Sequence, residues 1–249
     1  MPRIRLTMAY EGTDFCGWQI QNGQPTIQGC IENALATLCG VPTRIYGSGR
    51  TDSGVHAMAQ VAHMDIPDTK THIPWQKALN AILPPSIRVI DVQTVGVDFH
   101  ARYASVSKTY SYTLWTNADF VLPQRRRFVW NTGPLDIPAM QEAADYIVGT
   151  HDFKSFQNLG TDVQSTVRTI TAITHKQGIT PYEVIWTLSA TGFLKQMVRN
   201  IIGLLYKVGK GKIQPKETAV ILKARDRKLA PATAPAQGLC MEYVEYEKK

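Results

Sequence analysis

The chain has 249 residues with 27 Lys plus Arg against 20 Asp plus Glu, a formal charge of +7, and is 44% hydrophobic and 19% charged. That length holds one large domain or two tightly joined small ones, and the composition excludes a disordered or fibrous chain. The positive excess points to a polyanionic partner while saying nothing about fold.

No stretch approaches the roughly 18 to 20 apolar residues of a membrane span, and Met1-Pro2-Arg3-Ile4-Arg5-Leu6 lacks the apolar run of a signal peptide. A cytoplasmic protein without a membrane partner is expected. Cys16, Cys30, Cys39 and Cys240 form no C-x-x-C pair, so they read as reduced, packed thiols rather than a zinc or redox site.

From Arg3 to Tyr10 the sequence alternates, with Ile4, Leu6, Met8 and Tyr10 on one side, which predicts a half-buried strand. Thr26 caps a predicted helix to about Leu38, whose Ile27, Ile31, Ala34, Leu35 and Leu38 share a face and which Gly40-Val41-Pro42 stops. Strands are predicted at Met58 to Ile66 and Ile87 to Val95, around a short helix from Pro74 to Ala81.

The second half opens with a long strand, Val106 to Trp115, placing Val106, Lys108, Tyr110, Tyr112 and Leu114 on one face. A helix from Asp136 to Val148 is capped by Asp136 and ended by Gly149. Arg168 to His175 and Tyr182 to Ala190 read as a strand pair turning near Gly178. An amphipathic helix spans Phe193 to Val208, and Leu239 to Tyr246 is a last strand. The expected class is α+β, with a mixed, largely antiparallel sheet, helices on one face and the other free to bind. The expected division is 1–100 and 101–249. Arg125-Arg126-Arg127 and the stretch from Lys207 to Lys228 concentrate positive charge.

The densest local anomaly is the loop Gly47-Ser48-Gly49-Arg50-Thr51-Asp52-Ser53-Gly54-Val55-His56-Ala57. It is not a Walker A loop, because Val55 rather than Lys follows Gly54. It is not a dinucleotide fingerprint, because Asp52 stands where the third glycine belongs, and neither Ser48 nor Ser53 sits in G-x-S-x-G. His56 and His63 lack a third metal ligand at any suggestive spacing, so His56 reads as a structural hydrogen-bonding residue. Asp52 sits among small residues that allow close approach, beside the phosphate-binding guanidinium of Arg50. Alone, the segment also fits an Asx turn with Arg50 in a surface ion pair.

Further segments complete a pattern. They are Tyr10-Glu11-Gly12 with Phe15-Cys16-Gly17-Trp18-Gln19-Ile20-Gln21, Thr26-Ile27-Gln28, Gly49 to Ala57, Phe99-His100-Ala101-Arg102 and Lys108-Thr109-Tyr110-Ser111-Tyr112. Asp152-Phe153 with Ser155-Phe156, Arg168-Thr169-Ile170, Phe193-Leu194 with Met197-Val198-Arg199, and Ala234-Pro235-Ala236 with Gly238-Leu239 follow in order. On these residues the chain resembles the tRNA pseudouridine synthase A (TruA) family nearly end to end. It departs at Glu11, Ala104-Ser105 and Cys240-Met241, none of them assigned to chemistry.

The resemblance implies an isomerase that converts uridine to pseudouridine at positions 38, 39 and 40 of the tRNA anticodon stem-loop, with no cofactor and no metal. It implies two RRM-like or ferredoxin-like halves with a basic cleft between them, a homodimer, and a uridine flipped out of its stack. Asp52 matches the catalytic carboxylate, which either attacks C1′ of the ribose or removes a proton from C2′. Arg199 matches the arginine that pairs with it, since a neighbouring cation favours an ionised carboxylate where water is excluded. Tyr110 matches the tyrosine that stacks on the uracil and stands where C5 loses its proton. Arg50 matches the arginine that holds the flipped nucleotide. Lys108 and Arg102 are expected near the substrate. The alternatives are a non-catalytic tRNA-binding or chaperone protein on the same scaffold, and another RNA-modifying enzyme such as a methyltransferase. The latter is disfavoured because no Gly-rich loop opens a helix near the start.

Overall fold

The computed structural model describes residues 1–158, 160 and 163–247. Two compact units emerge, Met1–Val106 with Cys240–Lys249, and Ser107–Leu239. Both mix strands and helices, so the α+β class is observed in each.

In the first unit, β1 (Arg3–Tyr10), β2 (Tyr46–Gly47), β3 (His56–Asp65) and β4 (Ile87–Val95) alternate with α1 (Ile27–Cys39) and α2 (Trp75–Ile82). β1 pairs antiparallel with both β3 and β4, and β2 pairs antiparallel with β3. The alternation of β1 survives intact, with Ile4, Leu6, Met8 and Tyr10 buried and Arg3, Arg5, Thr7 and Ala9 half-buried. Thr26 caps α1 by accepting from the Gly29 amide at 3.2 Å, and Gly40 at φ 78 ends it. Ile27, Ile31 and Leu35 are fully buried. α2 packs on α1 and on β4.

In the second unit the elements are β5 (Ser105–Trp115), which begins just before the unit boundary, β6 (Trp130–Asn131), α3 (Ile137–Asp145), β7 (Gly149–Asp152), β8 (Val167–Gln177), β9 (Glu183–Ala190), α4 (Met197–Gly209) and α5 (Glu217–Ala224). β9 pairs antiparallel with β5 and β8, β7 pairs antiparallel with β8, and β6 runs parallel to β5. The last strand, β10 (Leu239–Tyr246), returns to the first unit and runs parallel to β3 with Cys240 opposite His56.

Two helix boundaries and the burial of one strand differ from expectation. Asp136 caps α3 through the Ala139 amide at 3.0 Å, but the helix ends at Asp145 rather than Val148, because the Ile147 amide tightens onto Ala144 O and Gly149 at φ 113 opens β7. α4 starts at Met197 rather than Phe193, because Gln196 takes φ 61 and the chain before it makes a turn, Met197 N to Leu194 O. β5 is not one-sided: from Tyr110 to Trp115 every residue is buried, so both faces of the strand are covered.

Candidate active site

The loop carrying Asp52 is held by the segment that follows β1. The carbonyl of Thr51 accepts from the Trp18 amide at 3.0 Å, and the Phe15 carbonyl accepts from the Gly54 amide at 3.3 Å and the Ser53 hydroxyl at 3.1 Å. A Cβ on Gly12 would collide with the Val55 carbonyl oxygen, and one on Gly17 would stand 2.6 Å from the Thr51 oxygen at φ +83. Those two glycines are therefore sites of close backbone approach. Beneath the loop, Thr51 Oγ1 shares a 2.9 Å hydrogen bond with the buried Tyr10 hydroxyl, and Gln60 Nε2 donates to Gly49 O at 3.0 Å. Burial pushes the Tyr10 hydroxyl far above its ordinary value, so it remains a neutral phenol. His56 Nδ1 accepts from the Gly12 amide at 3.1 Å, the structural bonding expected of it. The turn is closed by Val55 N to Asp52 O at 3.2 Å, leaving Asp52 half-buried and Arg50 exposed.

The Thr26-Ile27-Gln28 motif supports the same segment. The Ile27 and Gln28 amides donate to Gly17 O and Trp18 O, and the Gln28 side chain donates to Glu32 at 2.8 Å.

In the second unit Tyr110 lies on β5 opposite Leu188 of β9, 8% exposed, with Phe193 edge-on at 5.2 Å between ring centroids. Lys108 precedes it by one full pleat, half-buried. Arg199 stands in the first turn of α4, half-buried, and its Nε donates to Ala234 O at 2.7 Å. The loop it grips is fixed from below. Arg227 donates to Ala230 O and Pro231 O, both at 2.9 Å, and to Asn200 Oδ1 at 3.0 Å. The Tyr112 hydroxyl donates to Pro235 O at 2.7 Å, and burial raises that phenol well above its usual range against the opposing charge of Arg199. Gly238 leaves room for the same ring, since a Cβ there would meet Tyr112 Cε1 at 2.6 Å.

Asp52, Arg50 and Arg102 thus belong to the first unit, and Lys108, Tyr110 and Arg199 to the second. The Arg125-Arg126-Arg127 run is only partly available, because Arg125 pairs with the fully buried carboxylate of Glu183. Sequence reasoning missed Asn200, Arg227 and Tyr112 as supports of the Arg199 region. Tyr112 lies within a quoted motif and Asn200 adjoins one, but Arg227 lies in a basic stretch with no local signal. Among the described residues, no group of three or more His, Cys, Asp or Glu side chains is placed to hold a metal ion, and no helix is long and apolar enough to cross a membrane.

The carboxylate of Asp52 thus lies on a clamped loop of the first unit, and Tyr110 and Arg199 on a strand and a helix of the second. The family model described as tRNA pseudouridine synthase matches residues 6–104 and 143–247. A protein of Solidesulfovibrio magneticus with the name tRNA pseudouridine synthase A is 54% identical, covering 99% of this chain and 92% of its own. Proteins with the same name from Maridesulfovibrio salexigens and Limosilactobacillus reuteri are 50% and 42% identical over 99% of this chain and 91% and 97% of theirs. The chain belongs to the tRNA pseudouridine synthase family, isomerases that convert uridine to pseudouridine in tRNA. Membership does not favour the non-catalytic alternative.

Proposed function

We propose that this enzyme isomerises uridine at positions 38, 39 and 40 of the tRNA anticodon stem-loop, with Asp52 as its catalytic carboxylate. The N1–C1′ bond breaks, the base turns, and a C5–C1′ bond forms; the C5 proton leaves to solvent and N1 gains one, so no oxidant or cofactor enters the balance. Asp52 attacks C1′ or takes the C2′ proton, and Arg199 is the cation that keeps it ionised. Tyr110 stacks on the uracil and stands at C5, where its hydroxyl serves the departing proton. Arg50 holds the flipped nucleotide, and Lys108 and Arg102 meet the substrate backbone.

The observation that supports this most is the immobilised Asp52 loop, in which Gly12 and Gly17 admit the carbonyls of Val55 and Thr51 and leave the carboxylate half-exposed. A positioned carboxylate is what sugar chemistry without a metal requires. The same reading makes the enzyme a cytoplasmic homodimer whose tRNA binding weakens with salt.

The test is tritium release from tRNA labelled at uridine C5. Wild-type protein should release label, and Asp52→Asn should bind tRNA while losing roughly 100- to 10,000-fold or more in rate. An Asp52→Asn enzyme with undiminished release would remove Asp52 from the mechanism.

A further inference from the structure

The first unit carries a row of rings and guanidiniums of which the proposed reaction calls on Arg102 alone, for the substrate backbone. Tyr46 is 45% exposed and Tyr103 77% exposed. His100 lies between them, 6.2 Å from the Tyr46 centroid and 4.4 Å from that of Tyr103. The Arg44 guanidinium sits 5.6 Å over Tyr46 and that of Arg102 sits 5.7 Å over Tyr103, and both arginines are exposed. The row therefore runs from a cation through three rings to a second cation.

The row is held rigidly. Buried His63 stacks under Tyr46 at 5.2 Å and stands 4.6 Å from His100. Its Nδ1 accepts from the Ala101 amide at 3.2 Å, while the Tyr246 hydroxyl donates to Ala101 O at 2.7 Å. Arg3 donates to Val97 O and Phe99 O at 2.7 and 2.9 Å, and neutralises Asp65 at 2.8 Å on its other edge. His100 Nδ1 accepts from the Arg102 and Tyr103 amides at 3.1 and 3.4 Å. With so many backbone groups of this loop engaged, Tyr103 is presented to solvent on a fixed support rather than on a loose loop.

An exposed, pre-oriented aromatic ring flanked by guanidiniums matches the face of an unpaired base and its phosphate, because stacking needs only a free π-face and the cations supply sequence-independent attraction. A paired base offers no such face. We propose that the Arg44–Tyr46–His100–Tyr103–Arg102 row is a stacking platform for unpaired nucleotides of the tRNA substrate, separate from the reacting uridine. The excess positive charge of the chain favours this polyanionic occupant over a protein one. The proposal rests on tRNA being the substrate.

The test compares wild type, Tyr103→Ala, Tyr103→Phe and Tyr46→Ala/Tyr103→Ala, using an unmodified tRNA transcript as probe. Affinity by fluorescence anisotropy and single-turnover tritium release at saturating protein are read on the same samples. Tyr103→Ala should weaken binding roughly 5- to 10-fold and the double variant more, with Tyr103→Phe binding like wild type and the saturated rate unchanged. Tyr103→Ala that binds tRNA as tightly as wild type would overturn the platform, as would a change in oligomeric state by sedimentation with tRNA affinity unaltered. If wild-type protein itself releases no tritium, it is the functional reading that fails. The exposed Tyr103 keeps the test meaningful should Tyr46→Ala loosen His63.

Discussion

Arg199 and Ala234 are closed on each other twice: the Arg199 Nε donates to Ala234 O at 2.7 Å, and the Ala234 amide donates to Arg199 O at 3.1 Å. The helix start and the Ala234-Pro235-Ala236 loop are therefore one positioned piece.

Asn200 anchors that piece. Fully buried, it accepts from Thr233 Oγ1 at 2.6 Å and Arg227 at 3.0 Å, and donates to Phe156 O at 2.8 Å. Asn200→Ala leaves the buried carbonyl of Phe156 unmatched and removes one bond each from half-buried Thr233 and Arg227, and should cost about 1–3 kcal/mol. Urea unfolding measures it, and the isomerisation rate of the still-folded fraction should fall as Arg199 loses its frame. A loss below about 1 kcal/mol would mean the network is dispensable.

Gly12→Ala drives a methyl group into the Val55 carbonyl. The backbone must shift, at a cost of about 1–3 kcal/mol typical of overpacking. The shift falls on the turn that carries Asp52, so tritium release should drop more than tRNA binding. An unaffected rate would show that the loop tolerates displacement.

His63 gives the first unit an acid-sensitive step. Burial, then His100 and then Arg3, lower its imidazole from 6.5 to about 4, against the raising effects of Asp65 and the Tyr46 backbone. Between those values the unfolded chain binds a proton that the folded chain refuses, so stability falls as the pH drops through that window. The slope approaches about 1.4 kcal/mol per pH unit in the middle of it. His63→Gln, which retains an acceptor for the Ala101 amide, should lose less stability than wild type between pH 7.5 and 5 in urea titrations. Equal losses would assign the step elsewhere.

Gln196 holds φ 61 immediately before α4, a left-handed conformation that costs a side-chain-bearing residue about 1–2 kcal/mol. Gln196→Gly should recover up to about 1 kcal/mol after the added chain entropy, raising Tm by roughly 2–4 °C. Calorimetry decides; a lower Tm would mean that the Gln196 side chain contributes more than its backbone costs.

The sequence was most legible where the signal was local. Alternation in Arg3–Tyr10 and the caps at Thr26 and Asp136 are short-range physics, and each has its counterpart in the fold. The Asp52 loop could be stripped of phosphate-loop and nucleophile-elbow readings by spacing alone, yet the need for Gly12 and Gly17 comes from the distant carbonyls of Val55 and Thr51. The early end of α3 and late start of α4 depend on turn geometry that an apolar period does not encode. Arg3 and Arg125 are engaged by Asp65 and Glu183, 62 and 58 residues away along the chain, and Arg227 by the nearby carbonyls of Ala230 and Pro231 and the distant Asn200, pairings that a count of charges does not reveal. Short β2, β6 and β7, and helix α5 within the basic stretch, gave no periodic signal long enough to read.

The return of β10 to the first unit sets an order on biosynthesis. As the chain emerges from the ribosome, Ser107–Leu239 is complete before the strand that pairs with β3 has been made, so the second unit can close first. The unit that carries the Asp52 loop must wait for Met241 and Val244, 0% and 3% exposed when seated, to fill its core. A chain stopped just before Cys240 would therefore carry a well-formed second unit joined to a first unit with an open seam, the sort of partial product that quality-control proteases select.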